Sequence, residues 1–550
     1  MSCVVHSIVS RRVTMLKNPK YIYGPCDRFV PASLNYGQYF LTKLKENSGK
    51  IALINGLTDE KLTYDDIAQE AINVSFSLTR MGVRKGDVIA VSSENRREYW
   101  STVVGIICSG AVVTTINIGY TNDELKHVVG ISKPKYLFCS PLAYKMHSKT
   151  YRSLGFLKHI ILYGDEESPG AIPFKYLAVP SNRRTSHYHL ELNVNFEDFE
   201  PIDVEGYDTL FILYSSGTTG LPKGVMITHQ NILTLSCSNV ILPPLLGLTI
   251  TPWYHTMGLI GTLNSFSRGN TTVFLPKFNV EQYLRTVEKY KIEQLVLVPA
   301  ALVALVKSSL DVDTSSVHLI YCGSAPLYED TAKAVTKRFP NVTALLQGYG
   351  MTETTLAITM NYNPDKYGSV GTVTSHTVVK VVDPDTKEVL GPNKPGEICL
   401  KSATMMKGYV GRPRSEGYDD EGFFRTGDIG YYDEDGYFYI VDRLKELIKY
   451  KSYQVPPAEI ETTLLKHPSV LDAGVVGVPH PVSGEVPVAF VVKSGPVTEA
   501  ELVKFVADRL SNPKHIRGGV IFIDEIPRNQ TSKILRKELR KMAKTRKSKL

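Results

Sequence analysis

At 550 residues the chain is too long for one hydrophobic core, so at least two domains are expected. Its 43% hydrophobic and 21% charged residues are those of an ordinary globular protein, and the longest apolar region, 103–118, is broken by Ser109, Gly110, Thr114 and Thr115. No stretch reaches the roughly 18 apolar residues of a membrane-spanning helix, so no transmembrane segment is read. The seven cysteines are odd in number, widely spaced and without a CxxC pair, which argues against a disulfide framework or zinc site and favours a reducing compartment.

Residues 35–200 alternate helical and strand periodicities. The spacing predicts helices over 64–81 and 99–108, and strands over 87–92, 135–139 and 159–163. The same unit recurs from 209 to 353, with apolar strands over 209–214, 294–298, 317–321 and 343–346 and helices after them. Such alternation implies parallel sheets with crossover helices. Three polar or glycine-rich segments, 215–224, 322–327 and 347–353, each follow the carboxyl end of a strand, which places them as loops around one crevice. After about residue 365 the pattern changes to short alternating strands over 377–382, 396–400 and 437–441, expected to form a small β-barrel or antiparallel layer, with 425–428 in a loop between two of them. Segment 442–449 is strongly charged, as a linker would be. The last hundred residues read as a compact α+β unit with a helix over 457–466, strands over 475–478 and 488–492, and a helix capped by Thr498 and Glu501.

The formal charge of +8 is modest and gathers in the tail around Arg536, Lys537, Arg540, Lys541 and Lys544. Leu535, Leu539 and Met542 recur there at helical spacing, so the charges read as the solvated face of a terminal helix and not as a nucleic-acid surface. The final Ser548, Lys549 and Leu550 match the peroxisomal address, which makes an import receptor the expected partner and the peroxisome the expected location.

The segment with the clearest chemistry runs from Ser215 to Gly224. Gly217 and Gly220 let the backbone approach phosphate oxygens, Ser215, Ser216, Thr218 and Thr219 offer hydroxyl donors, and Lys223 adds a cation. This is the composition of a polyphosphate cradle. Its glycine-to-lysine spacing, and the lack of Ser or Thr after Lys223, separate it from a Walker loop.

Together with Gly348, Tyr349, Gly350, Met351, Thr352 and Glu353, then Arg425 to Asp428, then Gln530, Thr531, Ser532 and Lys533, this segment resembles the adenylate-forming superfamily: acyl-CoA synthetases, 4-coumarate-CoA ligases and beetle luciferases. The chain is most similar to the insect luciferase-like peroxisomal acyl-CoA synthetases. The resemblance implies an α/β fold with a large N-terminal adenylation domain (1–442) of two parallel α/β subdomains plus a small β-barrel. A hinge (443–446) and a smaller mobile α+β domain (447–550) follow. It also implies ATP, Mg²⁺ and CoA, with a small-molecule carboxylic acid as substrate.

By the same resemblance the 215–224 loop holds the β and γ phosphates, and Thr352 and Glu353 contact the α-phosphate and Mg²⁺. Asp428 accepts from the ribose hydroxyls beside Arg443, and Gly323, Ser324, Ala325, Pro326 and Tyr349 line the adenine slot. Lys533 bridges the carboxylate and α-phosphate. His255 belongs to the acyl pocket with Tyr254, Met257, Ser324 and Leu356. The resemblance makes Lys445 the hinge about which the small domain turns, bringing in a CoA loop of Lys449, Lys451, Ser452 and Tyr453. Relatives usually carry glycine where this chain has Ser452. Three features separate the acyl pocket from the luciferase pattern: a shortened segment between His229 and His255 with Leu235 in place of an arginine, Tyr254 in place of a second histidine, and Leu356 in place of a small serine. The expected activity is therefore an AMP-forming acyl-CoA synthetase acting on a medium- or long-chain fatty acid or an arylalkanoic acid. A luciferase-type monooxygenase and a non-catalytic adenylate binder are the alternatives.

Overall fold

The computed structural model describes residues 20–26, 30, 34–165, 167–180, 195, 198–215, 222–237, 244–323, 327, 329–451, 453–529 and 533–547. Two large mixed sheets carry the N-terminal region. The eight-stranded one has the order Gly408–Tyr409, Lys223–Thr228, Thr209–Ser215, Val112–Ile116, Val88–Ser92, Tyr136–Cys139, His159–Leu162 and Ile172–Pro173. Its first three strands are antiparallel and the rest parallel. Strand Thr209–Ser215 is almost wholly buried because it lies between two neighbours, which explains its continuous apolar run.

The nine-stranded sheet runs Thr372–Val373, Ala357–Asn361, Ala344–Gly350, Leu319–Cys322, Gln294–Leu297, Leu246–Thr249, Thr271–Phe274, Ile51–Asn55 and Lys61–Thr63, parallel in the middle and antiparallel at both ends. One apolar core takes side chains from both sheets, among them Leu53 and Phe274 from one and Val113 and Phe211 from the other. Helices Tyr64–Arg80 and Glu98–Cys108 supply much of its middle. The first starts on a reciprocal cap between Thr63 and Asp66; the second is buried along its entire length.

The region after residue 365 forms a five-stranded sheet in the order Ile22–Tyr23, Thr377–Val382, Gly396–Ser402, Phe424–Tyr432 and Phe438–Arg443, antiparallel throughout. Among the described residues its two outer strands do not pair with each other, so it is the antiparallel layer and not a closed barrel. The C-terminal unit has its own core around strands Val470–His480 and Gly484–Lys493 and helices Pro457–Leu465 and Glu499–Ala507.

Four expectations change. Residues 347–350 are not loop: strand Ala344–Gly350 extends through them and hairpins onto Ala357–Asn361, because the two glycines admit close antiparallel pairing. Residues 425–428 likewise lie inside strand Phe424–Tyr432. The three chemistry-bearing segments do not follow strands of one sheet, since Ser215 belongs to the eight-stranded sheet and the other two to the nine-stranded one. In the terminal helix Arg536–Lys547 it is Leu539 and Ala543 that are buried, while Leu535 and Met542 are exposed. That helix packs on strand Val470–His480, and Gly474 receives the Leu539 side chain closely.

Candidate active site

Strand pairing builds the first part of the site. Asp428 and Arg443 are direct partners in the antiparallel ladder of the five-stranded sheet, and Arg443 Nε reaches Asp428 Oδ1 at 2.6 Å. The nine-stranded sheet adds Tyr349, whose hydroxyl donates to Asp428 Oδ2. Burial raises the Asp428 carboxyl above its ordinary pKa, against the opposing pull of Arg443, Tyr349 and Lys533. Burial likewise pushes the Tyr349 hydroxyl well up.

Glu353 sits in a short 3₁₀ turn, Thr352–Thr354, at the end of strand Ala344–Gly350. It is 9% exposed, and its Oε1 accepts from the Tyr409 hydroxyl at 3.0 Å. Thr352 Oγ1 accepts from Thr256 Oγ1 at 3.3 Å. The chain leaves this turn through Thr355 at φ +69 and ψ −47, a conformation costly for a β-branched residue and held by a 2.6 Å bond from its hydroxyl to Thr404 O. Gly350 is obligatory here, since a Cβ would lie 1.9 Å from Leu356 O.

Ser215 and Lys223 of the candidate polyphosphate segment are paired on antiparallel strands. Ser215 Oγ is buried without a hydrogen-bond partner among the described residues. Lys223 Nζ lies 4.5 Å from the Tyr409 ring centroid and 2.9 Å from Glu416 Oε1. Sequence reasoning missed Tyr409 and Glu416. A two-residue strand has no periodicity to read, and the pairing of Tyr409 with Val225 that sets it beside Lys223 is a long-range contact. Ser216, Gly217, Thr218, Thr219, Gly220, Ser324, Ala325, Pro326, Ser452, Gln530, Thr531, Ser532, Ser548, Lys549 and Leu550 lie outside the described residues.

Lys533 comes from the small domain, in a turn where its N–H donates to Asn529 Oδ1 at 2.9 Å. The residue is exposed, yet desolvation and then the charge of Arg443 lower its pKa, while Asp428 and Glu353 pull it up. His255 feels the same lysine: its pKa falls to about 4 through burial first and Lys533 second. Two contacts are seen among the candidate acyl-pocket residues. The Tyr254 and His255 rings are 5.9 Å apart, and Met257 Sδ lies 3.8 Å from the Cβ position of Gly323. Leu356 packs partly buried on the main core, and Leu235 is buried within it.

The candidate CoA loop is not drawn into this cluster. Lys449 and Lys451 flank Tyr450 in a hairpin whose backbone contacts go to Glu485 and Ser483, and Lys451 turns the chain at φ +52. Tyr453 is exposed. Arg443 is in the ladder with Asp428, and residues 444–447, with Lys445 exposed, lie between that strand and strand Ile448–Tyr450. Among the described residues no group of three or more His, Cys, Asp or Glu could hold a metal by itself. Nor, among the described residues, is any helix long and apolar enough to cross a membrane.

A large α/β domain that carries the Asp428, Arg443, Tyr349 and Glu353 cluster, followed by a small α+β domain that carries Lys533, is the architecture of an adenylate-forming enzyme. The family model of the AMP-binding enzymes matches residues 40–410, and that of the AMP-binding enzyme C-terminal domain matches residues 459–533. The chain belongs to this family. It is 38% identical to the luciferin 4-monooxygenase of Luciola mingrelica, covering 98% of this chain and 100% of that one. It is 35% identical to 4-coumarate–CoA ligase 3 of Arabidopsis thaliana over 93% and 92%. Among solved structures, ATP-bound MatB from Rhodopseudomonas palustris superposes with a TM-score of 0.80 at 28% identity, covering 93% and 99%.

Proposed function

We infer that the protein is an AMP-forming acyl-CoA synthetase that first condenses a carboxylic acid with ATP and then transfers the acyl group to the thiol of CoA. One observation carries this reading: the buried Asp428 is paired with Arg443 at 2.6 Å and accepts from the Tyr349 hydroxyl, and Arg443, Asp428 and Glu353 all act electrostatically on Lys533 of the small domain. In the first step a carboxylate oxygen forms a bond to the α-phosphorus and the bond to the bridging oxygen breaks, releasing pyrophosphate. Both reactants are anions, so the barrier is lowered by cations placed where negative charge concentrates. Lys533 takes that role, and Arg443 fixes Asp428 to receive the ribose hydroxyls. The buried Ser215 hydroxyl and Lys223 meet the outer phosphates.

Glu353 fits Mg²⁺, which is bound typically by one or two carboxylates with phosphate oxygens completing the shell. When bound, the ion would neutralise phosphate charge; Tyr409 orients the carboxylate that receives it. His255, neutral above about pH 4, presents an uncharged ring to the substrate carboxylate. In the second step the CoA thiolate attacks the acyl carbonyl and AMP leaves, after the small domain turns about 444–447 and carries Lys449 and its hairpin inward. The apolar Leu235 and Leu356, with Tyr254 and Met257, suit a medium- or long-chain fatty acid or an arylalkanoic acid.

Near full-length likeness to luciferin 4-monooxygenases supports a second reading, oxidation of an adenylated luciferin. One experiment separates them: incubation with Mg-ATP, CoA and a panel of carboxylic acids, reading pyrophosphate, CoA thioester and light. Pyrophosphate with thioester is expected. Pyrophosphate without thioester from any acid would overturn the ligase reading, and light with beetle luciferin in place of thioester would establish the oxidase.

A further inference from the structure

Lys223 belongs to the segment assigned to the outer phosphates of ATP, yet its ammonium is already bound to an acid. Glu416 Oε1 accepts from Lys223 Nζ and from an Arg412 guanidinium nitrogen, each at 2.9 Å, so one carboxylate oxygen is shared by two cations. The Tyr409 ring supports the lysine from one side at 4.5 Å. A tight turn places Glu416: its N–H donates to Pro413 O at 3.0 Å, and Gly417 follows at φ +90, where a Cβ would lie 2.8 Å from the Phe424 ring. Adenylation itself needs no acid at this point. A carboxylate here competes with polyphosphate for the same ammonium.

We propose that Glu416 is a specificity-determining counter-ion for the nucleotide: it retains Lys223 until a polyphosphate displaces it, and Arg412 then keeps the displaced carboxylate. This rests on the assignment of Lys223 to the outer phosphates made above. The competition acts on ATP and not on AMP, which has no β or γ phosphate to reach Lys223. Glu416 therefore sets the ratio of affinities between substrate nucleotide and product nucleotide, and weaker ATP binding is the cost of a lysine held in place.

The test is direct binding of Mg-ATP and of AMP to the full chain by calorimetry. A partly exposed ion pair is worth about two- to fivefold in a binding constant. Glu416→Gln should therefore tighten Mg-ATP by about two- to fivefold and leave AMP unchanged. Arg412→Gln, which leaves Glu416 to Lys223 alone, should weaken Mg-ATP by a similar factor. In a Lys223→Met background Glu416→Gln should have no effect on either nucleotide. Thermal unfolding of each variant confirms that it is folded. Equal tightening with and without Lys223 would reduce the effect to general charge and overturn the proposal, as would unchanged or weaker ATP binding in Glu416→Gln. The functional reading fails separately, if the wild-type protein binds Mg-ATP but releases pyrophosphate with no acid; failure to bind Mg-ATP at all would overturn both.

Discussion

Asp428 and Arg443 illustrate how much of the site is made by pairing. They are fifteen positions apart in sequence and become neighbours because their strands are antiparallel and in register. The resemblance pointed to both residues, but the residue beside Lys223 that competes for it, Glu416, carried no local signal. Nor did Thr355, whose left-handed backbone would ordinarily be announced by glycine. The histidines give a prediction at this scale. Burial lowers both His229 and His255 to about 4, and His229 Nδ1 accepts from the Tyr36 N–H at 3.3 Å, which requires the neutral ring. In the unfolded chain each titrates near about 6.5. Between those values the unfolded state binds more protons, so stability is lost as pH falls from about 6.5 towards 4. The melting temperature should drop over this window, and His229→Asn, which keeps an acceptor but does not titrate there, should blunt the drop. An identical drop in the variant would remove His229 from the explanation.

Among the elements, parallel strands and their crossover helices were legible because buried strands leave continuous apolar runs, as in Thr209–Ser215, and amphipathic helices leave a 3.6-residue period, as in Tyr64–Arg80. Strand ends rich in glycine were not: residues 347–350 and 425–428 looked like loops because composition records turn propensity, whereas ladder hydrogen bonds depend on a distant partner. Division of the strands between two sheets was invisible for the same reason. The hairpin at Gly350 supplies a contrast. A methyl at Gly350 would meet Leu356 O at 1.9 Å, while at Gly348 its nearest neighbours, the flexible Met360 Cε and Thr359 O, are both 3.1 Å away. Gly350→Ala should cost at least the upper end of about 1–3 kcal/mol and displace Glu353, and Gly348→Ala should cost less. Denaturant unfolding of the two variants checks this; equal stabilities would contradict the hairpin geometry.

Over the whole molecule, the segment around residues 442–447 is tied to the C-terminal unit at two points. Asp442 Oδ2 accepts from Ala458 N at the start of helix Pro457–Leu465, at 3.1 Å. Glu446 pairs with Arg540 of the terminal helix, which begins three residues after Lys533. The connecting segment and the lysine-bearing turn are thus tied to one helix, a suitable arrangement for moving Lys533 as a unit when the small domain rotates. The role proposed for Lys533 was implied in the sequence only by family resemblance; nothing in its basic surroundings distinguishes it from the tail charges beside it. The most direct test compares Lys533→Ala with wild type in the two half-reactions: pyrophosphate release from acid and Mg-ATP, and thioester formation from preformed acyl-adenylate and CoA. Loss of one such cation costs on the order of 3 kcal/mol, so adenylation should fall by roughly a hundredfold or more while thioester formation stays within a few-fold. Equal losses in both half-reactions, or adenylation that survives the substitution, would contradict the assignment of Lys533 to the first step.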